Sequence, residues 1–208
     1  MFDWYWVAAL AVIVLAFRLV RPLLGFVLAP EISAKVMANQ PDTIHLEPGD
    51  PSDWRDAARR DALSADFAAL GFADAGTHVV PELPGVRLRL FAHAADSLLG
   101  VIYEHPARGV WFEMVARATD GTSTTWTSLP ANGLDPRPGH PIRHQPRATV
   151  DALWRSVQRE KPALPLQPVA VSSVAPAFVQ AWADYMVWRK QRGVTRLEAA
   201  RVGARRAA

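Results

Sequence analysis

The run VRLRLFAHA, residues 86–94, decides the fold, because its apolar and polar side chains alternate with the period of a half-buried β-strand. Four further runs of strand-forming residues surround it, separated by turn sequences such as HPARG and TDG. The five predicted strands are 72–80, 86–93, 97–105, 110–118 and 122–129. Short links join neighbouring strands, and parallel strands would need long crossovers, so the pattern predicts an antiparallel meander.

Helical patterns lie on both sides of these strands. Asp50 is predicted to cap a helix that runs to residue 70 and ends at Gly71. Thr149 is predicted to cap a helix over 150–160, and another is expected to start near residues 175–176 and run to 191. Thr195 and Glu198 form a capping-box pattern before a last short helix. The sequence therefore predicts an α+β fold in which three to four helices pack on a meander of about five strands.

The first thirty residues predict a transmembrane helix ahead of that fold. Residues 4–17 read WYWVAALAVIVLAF and carry no charge. A bilayer core is crossed by about 20 apolar residues, so the preferred span is 3–22, followed by an interfacial piece. The residues expected at the two membrane surfaces are Trp4, Tyr5 and Trp6 at one end and Arg18 and Arg21 at the other.

The charge order and the apolar pattern of this segment favour an anchor over two alternatives, a cleaved signal peptide and a buried helix. A cleaved signal peptide would carry positive charge before its apolar run, whereas here Asp3 precedes the run and the arginines follow it. A buried helix of a soluble protein would be apolar on one face, whereas this run is apolar all round. The expected organisation is an anchor and interfacial segment over 1–30, a linker over 31–50, and a soluble α+β domain with a basic C-terminal helix over 51–208.

A few short motifs resemble those of a group of bacterial proteins. They are LGF at 70–72, the DG turn at 120–121 with the following Thr127 and Ser128, and the helix end at Trp188 and Arg189. The resemblance is to proteins of uncharacterised function in which one N-terminal span precedes a small α+β domain, and it implies no activity and no site residues. Since basic residues favour the cytoplasmic side, the predicted location is the bacterial inner membrane, with Met1 outside and residues 31–208 in the cytoplasm.

The best candidate for a binding site is the Arg/His-rich loop 137–147. It lies in a longer loop, residues 130–147, that contains five prolines and two glycines. Its candidate ligand-binding residues are Arg137, His140, Arg143, His144 and Arg147. Arginines in such a loop can clamp a phosphate or carboxylate, and the two histidines could share a metal only with further ligands such as Asp135 or His105. A merely solvated loop is the plain alternative.

Other chemistry finds little support in the sequence. The chain has no cysteine, which excludes disulfides, thiolate nucleophiles and cysteine-ligated metal sites. Ser123 and Ser128 lack the glycine context of a nucleophile elbow, and no phosphate-cradling loop or dinucleotide fingerprint occurs. No catalytic residue, cofactor or metal is predicted, and an enzyme is possible but not favoured.

The C-terminal end is strongly basic. From Trp188 onward there are seven basic residues and one acid, Glu198. A cationic helix beside a membrane can contact anionic lipid, while a frayed, solvated terminus is the simpler reading. Binding to nucleic acid is not expected, because the tail lacks interleaved aromatic residues and any known module.

Two function classes follow. The first is a membrane-anchored, non-catalytic interaction domain, an accessory subunit or scaffold whose partners are the lipid bilayer and another membrane protein. The alternative is a sheet domain, a sensor or hydrolase, that binds a small anion through the loop 137–147. A cleft that holds His140 or His144 would favour the second class, and a flat apolar patch would favour the first.

Overall fold

The computed structural model describes residues 40–207, which form an α+β fold with seven strands and four helices. The strands, numbered in chain order, are β1 (Glu47–Pro48), β2 (Ala73–Val79), β3 (Arg87–His93), β4 (Leu98–His105), β5 (Gly109–Arg117), β6 (Ser123–Thr127) and β7 (Ile142–His144). The helices are α1 (Ala57–Ala69), α2 (Val150–Glu160), α3 (Val171–Arg192) and α4 (Arg196–Ala207).

The sheet is mixed, so the predicted five-stranded antiparallel meander is wrong. Its strand order is β1-β2-β3-β4-β5-β6-β7, and the pairs from β1 to β6 are antiparallel. The last strand, β7, runs parallel to β6, with Thr125 opposite Ile142 and Thr127 opposite His144. The five predicted segments form the centre of the sheet. The two edge strands are only two and three residues long, which is too short for an alternating pattern to show in the sequence.

The predicted fold also began with a transmembrane helix, and the structure does not support this part of it. Across residues 40–207, no helix is both long enough and apolar enough to cross a bilayer. The segment 1–30, with Trp4, Tyr5, Trp6, Arg18 and Arg21, lies outside the described residues, as does most of the predicted linker.

The chain divides into two compact units. The larger, which we call the sheet unit, comprises Pro41–Ala131 and Pro136–Trp188. The described residues of the smaller, C-terminal unit are Gln40, Asn132–Asp135 and 189–207. Each unit is held together by its own contacts, which are given separately below.

One face of the sheet is covered by α1 and α2 through a core rich in aromatic side chains. Phe67 of α1 is fully buried, stacks on Phe91 at 4.9 Å and meets Phe72 edge-on at 4.9 Å. Gly100 of β4 faces the same ring, and a Cβ built there would lie 2.6 Å from Cε1 of Phe67. A glycine is therefore needed at this point of the strand for the helix to approach closely.

The helix α1 is shorter than predicted. A 3-10 turn, Pro51–Asp53, does follow the Asp50 cap, but α1 itself begins at Ala57 behind a second cap, Asp56. The buried carboxylate of Glu104 accepts the backbone N–H groups of residues 55 and 56 at 3.1 and 3.0 Å. These bonds hold the intervening chain outside the helix. The predicted end is confirmed, since Gly71 has a φ of +90°.

The other face of the sheet is covered by α3, through an aliphatic core that includes Leu88, Leu90 and Val101. Phe178 and Trp182 of α3 pack against this core, and the Trp182 indole donates to the carbonyl of Pro41 at 3.1 Å. The predicted start near 175–176 is wrong, because α3 begins at Val171 with a proline inside it. The hydroxyl of Ser173 accepts the Ala170 N–H at 3.1 Å, which fixes this earlier start.

The C-terminal unit is organised by an ion-pair cluster around Glu198. The predicted capping box is confirmed, with Thr195 N–H donating to Glu198 at 2.9 Å and Glu198 N–H donating to the Thr195 hydroxyl at 3.2 Å. The side chains of Glu198 and Arg189 are fully buried and 2.9 Å apart. Arg192 pairs with the same carboxylate at 2.7 Å, and Arg201 pairs with Asp135 at 2.5 Å. Three of the tail's basic side chains are therefore paired with two carboxylates within the unit.

Candidate functional site

The predicted loop 137–147 does not assemble its side chains into one site. Nδ1 of His140 lies 2.8 Å from Oγ of Ser123, whereas Nδ1 of His144 donates to the carbonyl of Leu129 at 2.9 Å. Nε of Arg143 is 3.7 Å from Glu160 across an exposed ion pair. The two histidines thus have different partners, and within residues 40–207 no group of three His, Asp or Glu side chains is placed to hold a metal ion.

The contact between Ser123 and His140 was not expected from the sequence. Burial, followed by the charges of Arg137 and Arg117, lowers the pKa of His140, so that its ring is neutral at pH 7. The backbone explains the contact without catalysis, since Ser123 N–H donates to the carbonyl of Gly139 at 3.1 Å. The pair therefore ties β6 to the segment that leads into β7.

One residue of the predicted site, Arg147, borders a cleft in the sheet unit. This cleft, which we call the arginine cleft, has a volume of about 170 Å³. Its lining is basic and aromatic, without an acidic side chain, and consists of Arg59, Arg108, Val110, Trp111, Ser128, Leu129, Pro130, Arg147 and Ala148. Neither His140 nor His144 is among these residues.

Three separate segments supply the arginines of the cleft. Arg59 lies in the first turn of α1, where the Asp56 cap accepts its backbone N–H at 3.0 Å. Arg108 lies in the turn between β4 and β5, next to Gly109 with its φ of +70°. Arg147 lies two residues before the Thr149 cap of α2. The packing of both helices on the sheet therefore brings together charges that are far apart in sequence.

Among residues 40–207, no carboxylate forms an ion pair with any of the three guanidinium groups. All three residues are exposed, and within the described part of the chain none of their side chains makes a hydrogen bond or an ion pair. Arg147 also has a φ of +67°, an uncommon conformation for a residue with a side chain. Such backbone conformations are found disproportionately at functional sites, which makes this cleft the best candidate site of the sheet unit.

A second polar group lies under α3, on the face of the sheet opposite to α1. The hydroxyl of Tyr103 donates to Glu113 at 2.9 Å, and the Tyr103 ring stacks on Trp111 at 4.7 Å. Burial raises the pKa of Glu113, and burial together with that carboxylate raises the pKa of Tyr103. These groups satisfy one another, so we assign them a structural role.

The sequence contained only part of the signal for the arginine cleft. Arg147 is one of the binding residues that the sequence predicts, whereas Arg59 and Arg108 are not. Nothing in their spacing along the chain links the three, because the link is made by the packing of α1 and α2.

No family model matches this chain, and no curated protein or solved structure shows significant similarity to it. The resemblance to bacterial single-span proteins therefore stays a prediction.

Proposed function

We propose that the sheet unit is a non-catalytic interaction domain that binds an anionic group of its partner in the arginine cleft. One observation carries the proposal: three exposed guanidinium groups from three segments border one cleft without an acidic residue in its lining. Like charges held near one another repel, and a bound anion would offset that repulsion. Guanidinium is also the side-chain group best suited to bind carboxylate or phosphate through paired hydrogen bonds.

This proposal combines the two function classes that the sequence left open. It keeps the interaction domain and the anion, but it moves the anion site from the loop 137–147 to a cleft that shares only Arg147 with that loop. The partner is proposed to be another membrane protein. A contact between the basic tail and anionic lipid also remains a proposal, although it is weakened by the ion pairs of Arg189, Arg192 and Arg201.

The proposed location, the bacterial inner membrane, rests on the resemblance to bacterial single-span proteins and on the apolar sequence of residues 1–30. The charge order of residues 1–30 favours an orientation with residues 31–208 in the cytoplasm. Protease added outside intact cells should then leave this region uncut. Digestion of the region under those conditions would reverse the proposed orientation.

Anion binding can be measured on the full chain in mild detergent. Inorganic phosphate, sulfate and acetate are titrated into the protein at constant ionic strength. Binding is measured as the heat released in calorimetry or as the rise in the melting temperature of the protein. The variants R59Q and R108Q should each weaken the binding of at least one anion by roughly tenfold or more, the loss expected for a hydrogen bond to a charged group. The matched control is R55Q, which removes an exposed arginine four residues from Arg59 and outside the cleft lining.

The control decides between a site and a general effect of charge. If R55Q weakens binding as much as R59Q and R108Q, the anions are responding to net charge and the proposed site is wrong. A pull-down extends the test to the partner. Wild-type protein should recover the partner, and R108Q should not.

A further inference from the structure

We infer that the group bound in the arginine cleft is a phosphate monoester rather than a carboxylate, an inference that rests on the proposed function. The cleft lining carries three guanidinium groups and no acid. A carboxylate brings a single negative charge, whereas a phosphate monoester brings between one and a half and two at pH 7. The dianion therefore comes closer to balancing the charge of the lining.

The arrangement of the donors favours the same group. The guanidinium groups are attached to the first turn of α1, to the turn between β4 and β5, and to the link before α2. A carboxylate accepts hydrogen bonds chiefly in its own plane, which suits one or two guanidinium partners. A phosphate monoester presents three terminal oxygens that are not coplanar, so it can accept from donors on three independent segments.

The volume of the cleft limits the size of what it holds. A water molecule in the liquid occupies about 30 Å³. A volume of about 170 Å³ is therefore sufficient for a phosphate group together with the first atoms of its ester. The cleft is expected to bind the phosphorylated end of a molecule whose remainder lies outside it.

The conformation of Arg147 makes a sharp test possible. Glycine adopts a φ of +67° without strain, so R147G removes the guanidinium while suiting the backbone. A loss of binding in R147G, in a protein that is at least as stable as the wild type, cannot be ascribed to misfolding. Unfolding by urea provides that stability measurement.

The experiment compares three ligands with the same ring: phenyl phosphate, benzenesulfonate and benzoate. Their affinities for the full-length wild type, R147G and R55Q are measured by calorimetry in mild detergent. We expect phenyl phosphate to bind at least about tenfold more tightly than benzoate, both to wild type and to R55Q. This factor corresponds to one additional charge-assisted hydrogen bond. Benzenesulfonate, which is tetrahedral but singly charged, should lie between them, and R147G should lose most of the preference for phosphate.

The pH dependence adds an independent check. A phosphate monoester has its second pKa near 6, so its binding should weaken below that pH, whereas the binding of benzenesulfonate should not. Equal affinity for phenyl phosphate and benzoate would overturn this inference and leave the proposed anion site intact. Failure of all three ligands to bind would overturn both.

Discussion

Replacement of Gly100 by alanine tests the account of the aromatic core. A methyl group at this position would lie 2.6 and 3.0 Å from two atoms of the Phe67 ring and 3.2 Å from the Phe72 ring. The Phe67 ring cannot easily move away, because it is stacked on Phe91 at 4.9 Å and lies 6.0 Å from Phe112 in an edge-on contact. The substitution should therefore strain the contact between α1 and β4.

The magnitude can be worked from these contacts. Overpacking a core typically costs about 1–3 kcal/mol, and two contacts at or below 3.0 Å place Gly100→Ala in the upper half of that range. The lower chain entropy of the unfolded alanine variant offsets about 0.4–1 kcal/mol. The net loss should be about 1–2.5 kcal/mol, which corresponds to a fall in melting temperature of roughly 2–10 °C for a chain of this size.

The assay is urea unfolding of the full chain, followed by tryptophan fluorescence, in a double-mutant cycle with F67L. A smaller side chain at Phe67 gives the added methyl group room, so Gly100→Ala should cost at least about 1 kcal/mol less in the F67L background. Gly203→Ala is the control, because a Cβ there meets no atom within 4 Å. A loss below about 0.5 kcal/mol for Gly100→Ala, or an equal loss in both backgrounds, would refute the proposed close approach.

Two further predictions concern the carboxyl groups of Glu198 and Glu113. The pKa of Glu198 is low, although burial alone would raise it, because backbone N–H groups and guanidinium groups stabilise the charged carboxylate. The ionised carboxylate therefore stabilises the fold above the ordinary pKa of about 4.3, and this stabilisation is lost as the pH falls. E198Q should therefore cost about 3 kcal/mol at pH 7 because it removes the carboxylate that pairs with the buried Arg189, and urea midpoints that match those of the exposed control E47Q would contradict this. Burial raises the pKa of Glu113, so the folded state favours the protonated carboxyl group. The fold therefore loses stability as the pH rises from about 4.3, the ordinary pKa, through the raised pKa of the folded state. The stability of E113Q relative to wild type should increase between pH 4 and pH 7, and a constant difference would disprove the role of this carboxyl group.

Local patterns predicted the regular parts of the fold. The alternation in residues 86–94 corresponds to β3, and the turns around it separate strands that do pair with their neighbours in sequence. The caps at Thr149 and Thr195 were predictable because each satisfies backbone N–H groups only a few residues away, whereas Asp50 caps a 3-10 turn and not the predicted helix. Information that lies within a few residues is present in the sequence itself.

The features that escaped prediction depend on contacts between distant residues. The strand β7 exists because the chain returns to pair with β6, and its three residues carry no signal of their own. The late start of α1 depends on Glu104, which lies almost fifty residues further along the chain. Arg59 and Arg108 became part of a candidate site only through the packing of a helix beside a turn.

The short edge strands have a consequence for behaviour at high concentration. An edge strand offers unpaired backbone groups to which another chain can add, and this addition is a common route to aggregation. Here one edge strand consists of two residues and includes Pro48, which has no N–H group, and the other consists of three residues between Pro141 and Pro146. The most buried strands, β3 and β4, are enclosed between neighbours on both sides. The folded sheet is therefore poorly suited to seed fibrils, and any tendency to aggregate should come from partly unfolded chains.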